Sequence, residues 1–253
     1  MTTLHSPSLA QKAAAELLGT AFLLAVVIGS GIMGERLCGG NVALALLANT
    51  IATGAGLVAL ILTFGSISGA HFNPAVTLAD ASQDGLPWRE VPVYVGVQIV
   101  GAFVGVIVAH LMFGEAVLSA SRHVRAGGAQ WLSEFVATFG LLAVIWGCAR
   151  RQSTSVPFAV GAYITSAYWF TSSTSFANPA VTLARSASDT FAGIRPADAP
   201  GFVVAQLLGA AAATAVFRWL VPSLPEVAPH VVARDGEREE REERGARDEP
   251  EKR

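Results

Sequence analysis

Six stretches of this chain carry no charged side chain, and their lengths constrain the fold more than any other feature. They comprise 18, 43, 24, 15, 33 and 19 residues, at positions 17–34, 37–79, 91–114, 135–149, 152–184 and 199–217. A helix that crosses a bilayer needs about 20 apolar residues. Charged residues make up only 14% of the chain, against about 25% in an average soluble domain. The pattern predicts a polytopic membrane protein and argues against a soluble enzyme, a nucleic-acid binder and a disordered chain.

The two longest charge-free stretches each fit one span plus about half a span. Clusters rich in serine and threonine interrupt them at residues 66–69 and 171–175, and such clusters favour turns. After each cluster comes a segment too short to cross a bilayer. Backbone that enters a membrane without crossing it must be buried in protein or line water. We therefore predict an all-α membrane protein with six transmembrane helices and two re-entrant half-helices.

The chain contains an internal repeat. The heptamer Asn-Pro-Ala-Val-Thr-Leu-Ala occupies residues 73–79 and again residues 178–184, 105 positions later. Weaker matches follow the same order, between residues 15–20 and 133–138 and between residues 98–102 and 206–210. Each half then has three spans, and because three is odd the second half enters the membrane from the opposite face. Inverted repeats of this kind place a solute site at the repeat interface near the midplane.

The Asn-Pro pairs predict how each half-helix begins and what its tip does. Asparagine is a favoured N-cap, and proline suits the first helical position because it has no N–H to satisfy. A helix N-terminus carries about half a positive charge. Two such ends that face each other oppose the passage of cations, protons included. The side-chain amides of Asn73 and Asn178 can donate hydrogen bonds to the oxygen of water or of a hydroxylated solute.

These motifs, with the matching segments around Glu16 and Glu134 and around Gln98 and Gln206, resemble the major intrinsic proteins, the family of aquaporins and aquaglyceroporins. The resemblance covers about residues 10 to 221. It implies a channel rather than an enzyme, a homotetramer with one pore per protomer, and both termini in the cytoplasm. It implies that Glu16 and Glu134 support the re-entrant loops through hydrogen bonds. It also implies six pore residues in the two motifs, Asn73, Pro74, Ala75, Asn178, Pro179 and Ala180.

The outer selectivity filter departs from the usual pattern of that family. Members narrow the outer pore with four residues, one of which is an arginine directly after the second Asn-Pro-Ala, where this chain has Val181. Gap-free counting from the two asparagines puts the other three positions at Thr53, Ser166 and Ser175. Three hydroxyls and a valine predict a wide, neutral opening without an aromatic ring, an imidazole or a guanidinium. This pattern resembles a bacterial branch of aquaglyceroporins that has valine for arginine and is linked to arsenical permeation.

Arg185 lies four residues after Val181 and therefore on the same helical face. We interpret it as a solvated arginine at a helix end, near Asp189. The alternative, that it charges the vestibule of the pore, stays open at this stage.

The combined prediction is a passive channel for water and small neutral solutes that excludes protons and ions. The expected solutes are polyols and undissociated metalloid acids such as arsenite. A water-selective channel is the main alternative. A secondary transporter is less favoured because the spans hold few ionisable residues that could couple transport to an ion gradient. An intramembrane serine protease is less favoured because no Gly-x-Ser-Gly motif occurs. We expect membrane lipid as a partner, and no cofactor, metal site or nucleic acid.

The predicted organisation is an N-terminal tail (1–10), a channel domain (11–221, with halves 11–127 and 128–221) and a charged, disordered C-terminal tail (222–253). The last 20 residues carry 16 charged side chains. The expected location is the bacterial inner membrane. Gly101 and Gly105, spaced as GxxxG, predict a close helix contact.

Overall fold

The computed structural model describes residues 6–149 and 153–221. Over these residues the chain forms eight α-helices joined by loops. They are α1 (Leu9–Leu37), α2 (Val42–Ser68), α3 (Pro74–Ala81), α4 (Val91–Phe113), α5 (Gly128–Ala149), α6 (Val156–Phe170), α7 (Pro179–Arg185) and α8 (Ala199–Leu220). The predicted C-terminal tail, residues 222–253, lies outside the described residues.

Six helices are spans and two are half-helices, as predicted. Helices α1, α2, α4 and α5 and the stretch Pro196–Leu220, which contains α8, are each long and apolar enough to cross a bilayer. Helix α6 has 15 residues and continues a 3₁₀ turn at Ser153–Ser155. Together these extend about 28 Å, close to the hydrocarbon thickness of about 30 Å. Helices α3 and α7 have only eight and seven residues, too short to cross.

Local capping sets where α1 begins and where α2 ends. The Ser8 hydroxyl accepts a hydrogen bond from the Gln11 backbone N–H at 3.3 Å, and the Gln11 side chain accepts one from Ser8 N–H at 2.8 Å. This capping box starts α1 at Leu9, two residues before the predicted domain boundary. Helix α2 ends at Ser68 and is capped by Gly69, whose φ of 96° is left-handed and favours glycine.

The two halves of the repeat use the same helix pairings. In the first half α1 packs against α2 and α4, and in the second α5 packs against α6 and α8. The half-helices cross between halves, since α3 also contacts α8 and α7 contacts α4. Helices α2 and α6 pack against each other and so join the two halves on the remaining side of the bundle. The arrangement brings the tips of α3 and α7 to the centre of the molecule.

The predicted close contact at Gly101 and Gly105 is confirmed. A Cβ atom added at Gly101 would overlap the carbonyl oxygen of Leu17, and one at Gly105 would overlap that of Ala21. The repeat counterpart Gly209 packs in the same way against the backbone of Phe135. In lipid, where helix association depends on packing rather than on burial from water, such close approaches stabilise the α1–α4 and α5–α8 pairs.

The loop that joins the two halves, residues 114–127, is hydrogen-bonded to the loop that follows α7. Ser119 and Ser121 donate backbone N–H groups to the carbonyls of Ala187 and Ser186, each at 3.0 Å. Farther along, Arg122 donates its backbone N–H and its Nε to the carboxylate of Asp189, at 2.9 and 2.7 Å. The loop that connects the two halves is therefore held against the loop that follows α7.

We expect Gly101→Val to destabilise the protein and Gly96→Val to leave it nearly unchanged. Both glycines lie in α4, but a Cβ at Gly96 meets nothing within 4 Å whereas one at Gly101 meets backbone. Overpacking typically costs about 1–3 kcal/mol. Thermal unfolding in detergent, followed by circular dichroism, measures the difference. Equal midpoints for the two variants would contradict the packing described for α1 and α4.

The contact between the 114–127 loop and the loop that follows α7 is predicted to weaken at low pH. The two hydrogen bonds from Arg122 hold the pKa of Asp189 below its ordinary value of about 3.9. Because the charged form is the stabilised one, the contact persists above that ordinary pKa and is lost as the pH falls through the lowered one. A carboxyl-carbon NMR titration of the protein in detergent should find the lowered pKa, and Arg122→Gln should raise it. An unshifted Asp189 would contradict the assignment.

Candidate functional site

The tips of the two half-helices are built by the Asn-Pro pairs. The side-chain oxygen of Asn73 accepts a hydrogen bond from Ala75 N–H at 2.9 Å, and that of Asn178 accepts from Ala180 and Val181 N–H at 3.0 and 3.2 Å. Both asparagines have extended backbone, with φ of −153° and −157°, and a proline opens each helix. The predicted N-cap geometry is confirmed in both halves.

The two tips are joined to each other by reciprocal hydrogen bonds. Asn73 Nδ2 donates to the Ala177 carbonyl at 2.7 Å, and Asn178 Nδ2 donates to the Phe72 carbonyl at 2.8 Å. Each asparagine therefore bonds to the residue that precedes the other asparagine. A side-chain amide has two N–H donors. Each asparagine thus keeps one donor beyond this link, and both asparagines line a cavity at the centre of the protein.

A buried carboxylate supports each re-entrant loop. Glu16 is fully buried in α1. Its Oε1 accepts from the Ser68 hydroxyl at 2.6 Å and from His71 N–H at 2.9 Å, and its Oε2 accepts from Phe72 N–H at 2.7 Å. Without this acceptor, the backbone donors of the loop would be unsatisfied at membrane depth, which is costly.

Glu134 plays the same geometric part in the second half. It is fully buried in α5, and its two oxygens accept from Phe176 and Ala177 N–H, both at 2.9 Å. The loops converge on the carboxylates because residues at equivalent repeat positions have left-handed backbone. These are Ala70 and Phe72 in the first loop and Ser175 and Ala177 in the second, with φ between 48° and 50°. The loop-supporting assignment for Glu16 and Glu134 agrees with this geometry.

A glutamine and a threonine extend each network to the half-helix. Gln98 Nε2 donates to Glu16 at 2.8 Å and to the Thr77 hydroxyl at 2.9 Å, and Thr77 donates to the Asn73 carbonyl at 3.1 Å. The second half repeats the chain through Gln206, Thr182 and Asn178, at 2.6, 2.8 and 2.8 Å. Sequence reasoning missed the threonines, although their place in a repeated heptamer was a signal that could have found them.

Three of the four predicted filter residues line the central cavity. Thr53, Ser175 and Val181 do so, and all three are buried. Ser166 does not: its side chain is exposed on α6 and donates to the Tyr163 carbonyl at 2.7 Å. Tyr168 lines the cavity instead and donates to the Thr53 hydroxyl at 3.3 Å. Tyr168 is two residues from Ser166, and because two residues turn a helix by about 200° the two side chains lie on opposite faces of α6.

Arg185 corrects the expectation of an opening without a guanidinium. The sequence pattern predicts a solvated arginine near Asp189, but the Arg185 side chain is only 2% exposed and lines the cavity. Its Nε donates to the Ala192 carbonyl, and its guanidinium lies 3.3 Å from the centre of the Phe176 ring. Asp189 pairs with Arg122 instead. An aromatic ring, Tyr168, and a guanidinium are therefore both present in the cavity wall.

Aliphatic side chains form most of the remaining wall. They come from α1, α2, α5 and α6 and are Leu23, Val27, Leu57, Ile61, Leu141, Ile145, Val156, Val160 and Ile164. Among residues 6–149 and 153–221, no group of three His, Cys, Asp or Glu side chains could hold a metal ion. The cavity therefore has one polar side, with amide, hydroxyl and guanidinium donors, and one apolar side.

Sequence comparison relates this architecture to known proteins. The sequence profile of the family described as Major intrinsic protein matches residues 3–172 and 150–241. Aquaglyceroporin AqpS of Rhizobium meliloti (strain 1021) is 56% identical over 218 residues, which are 86% of this chain and 93% of that protein. Aquaporin NIP1-1 of Oryza sativa subsp. japonica is 36% identical over 163 residues, 61% of this chain and 55% of that protein.

Structural comparison agrees on the fold. The X-ray structure of the aquaglyceroporin from Plasmodium falciparum superimposes with a TM-score of 0.66 and 22% identity, covering 86% of this chain and 99% of that one. It has the same fold as the six spans and paired half-helices described above. With the doubled Asn-Pro-Ala tips and the profile match along both halves, this integral multi-pass membrane protein belongs to the major intrinsic protein family.

Proposed function

We propose that this protein is a passive channel for water and small neutral solutes, namely polyols and undissociated metalloid acids such as arsenite, and that it excludes protons and ions. The observation that carries the proposal is the pair of asparagine-capped half-helix tips joined inside one cavity. We propose no enzymatic activity for the protein and no cofactor.

The centre of the cavity favours neutral oxygen-bearing solutes. Two helix N-termini meet there, and each carries about half a positive charge. They oppose a cation, while the free amide N–H of Asn73 and Asn178 can donate to a solute oxygen. Water and polyols accept such bonds without bringing a charge into the membrane.

The cavity wall is suited to solutes that are polar on one side and apolar on the other. Thr53 and Ser175 offer hydroxyls, and Val181 contributes an apolar surface at the position after the second Asn-Pro-Ala. The aliphatic side chains of α1, α2, α5 and α6 face the carbon skeleton of such a solute. The name of the relative that matches 86% of this chain, an aquaglyceroporin, is consistent with this class of solute.

A water-selective channel is the second candidate, and Tyr168 is the observation that favours it. Its ring and the Arg185 guanidinium occupy cavity wall that the sequence pattern had left open. Both groups add bulk, which reduces the space for a solute larger than water. The permeability of glycerol relative to water decides between the two candidates.

We also propose a homotetramer in the bacterial inner membrane with both termini in the cytoplasm. The seven basic residues between positions 234 and 253 favour a cytoplasmic C-terminus. Large apolar side chains are exposed on the outer faces of the spans, where lipid and neighbouring protomers would cover them. Examples are Phe22, Leu62, Phe158 and Leu208.

Adding bulk to the filter is expected to lower solute flux before water flux. Val181→Arg and Thr53→Phe together should reduce glycerol and arsenous acid permeability at least about tenfold, with a smaller loss for water, since one poorly accommodated group costs about 1–3 kcal/mol. Stopped-flow light scattering on proteoliposomes measures the water, glycerol and urea fluxes, and arsenic uptake measures the metalloid.

Ser166→Ala is the matched control because Ser166 is a hydroxyl residue predicted for the filter but exposed outside the cavity. It should leave all fluxes at the wild-type level. A wild-type protein that conducts water but no glycerol, urea or arsenous acid would overturn the proposed solute range and leave the water-selective channel.

A further inference from the structure

A buried guanidinium lies in the cavity wall, away from the position where this family usually has its filter arginine. Position 181, directly after the second Asn-Pro-Ala, holds valine, and Arg185 lies one helical turn farther along α7 on the same face. Its side chain is 2% exposed and lines the cavity with Val181 and Ser175. The Arg185 backbone therefore lies about 6 Å farther along the helix axis than that of Val181, and its side chain brings a guanidinium to the cavity wall.

The surrounding residues hold this guanidinium in one orientation. Nε donates to the Ala192 carbonyl, and the planar group stacks on Phe176 with 3.3 Å from its carbon to the ring centre. Phe176 is itself packed edge-on against Phe202 at 5.2 Å. The Arg125 guanidinium lies 5.1 Å from the same ring. A group fixed in this way does not need to reorganise when a solute passes.

The charge of Arg185 has no ion-pair partner among residues 6–149 and 153–221. Asp189, the acid nearest in sequence, is paired with Arg122. Glu134 contributes to the electrostatic surroundings, but its oxygens accept from the loop backbone and from Gln206. Arg125, whose guanidinium lies near the same Phe176 ring, adds positive charge rather than compensating it.

Hydroxyl groups continue the polar side of the wall from the guanidinium. Tyr168 lines the same cavity as Arg185, and its hydroxyl donates to Thr53 at 3.3 Å. The Ser175 hydroxyl lines the same cavity, is buried, and has no hydrogen-bond partner within the described part of the chain. An unpartnered buried hydroxyl costs free energy unless something enters the cavity to bond with it. The wall therefore has both a charge and an open hydrogen-bonding position toward the passage.

We propose that Arg185 is a specificity-determining residue of the pore, where its unpaired positive charge excludes cations and its remaining N–H donors bind the acceptor oxygens of a passing solute. The proposal rests on the proposed channel function but not on which neutral solutes pass. Cation exclusion in this protein then has two separate sources, the half-helix dipoles at the centre and the Arg185 guanidinium in the cavity wall.

The test compares Arg185→Met, which keeps the length but removes the charge, with Arg185→Lys, which keeps the charge but loses the stacked planar fork. Wild-type and variant proteins are reconstituted into proteoliposomes. Water flux is measured by stopped flow, and proton and sodium leaks are measured with trapped fluorescent indicators. Arg122→Met is the matched control because Arg122 is an arginine of the same outer mouth whose side chain is 89% exposed.

We expect Arg185→Met to conduct water and to raise the cation leak per channel by about 10- to 100-fold, as removal of one nearby unit charge implies. Arg185→Lys and Arg122→Met should keep the leak at the wild-type level. A water-conducting Arg185→Met variant with an unchanged leak overturns the proposal. A wild-type protein that passes no glycerol overturns the proposed solute range alone, because the leak comparison needs only water conduction.

If Arg185→Met does not reach the membrane in folded form, Arg185→Lys and Ser175→Ala test the proposal instead. Both retain the positive charge, and Ser175→Ala removes a hydroxyl that bonds to no other group of residues 6–149 and 153–221. Each should change the ratio of glycerol to water flux at least threefold while leaving the cation leak low. Unchanged ratios in both, or a cation leak in Ser175→Ala, overturn the proposal.

Discussion

The architecture depends on hydrogen bonds that two buried carboxylates accept from re-entrant backbone. Glu16 and Glu134 each bind two consecutive N–H groups of a loop that would otherwise be unsatisfied within the membrane. The loops contain left-handed residues that are not glycine, each of which costs about 1–3 kcal/mol. The carboxylates offset this strain. The position of the half-helix tips, and so the cavity, follows from these contacts.

The two halves share this scaffold but differ in pore chemistry at equivalent positions. Positions 80 and 185, 105 residues apart, lie at equivalent places in the last turns of the two half-helices and carry opposite charges. Asp80 lies 3.5 Å from His71, whereas Arg185 stacks on Phe176, the counterpart of His71. The scaffold residues are identical in type because they satisfy the same backbone. Side chains outside this scaffold, such as those of Asp80 and Arg185, do not satisfy that backbone and are free to differ.

The close helix contacts leave no room for a larger side chain at Gly101 and Gly209. Gly101 and Gly209 bring backbone against backbone in the α1–α4 and α5–α8 pairs, and these pairs place Gln98 and Gln206 beside the two carboxylates. Packing and polar satisfaction are thus coupled. A shift of either helix would lengthen hydrogen bonds of 2.8 and 2.6 Å.

The sequence by itself determined the spans, the half-helices, the inverted repeat and the asparagine caps, because charge-free length, Asn-Pro pairs and a repeated heptamer act locally. It also predicted Thr53, Ser175 and Val181 in the cavity wall. Only the tertiary structure decided that Ser166 points away and Tyr168 inward, because the phase of α6 depends on how it packs and on the length of the loop to α7. The burial of Arg185 in the cavity wall was likewise determined by packing. A helix-end arginine looks solvated in sequence, and only the folded chain brings Phe176 and the Ala192 carbonyl against it.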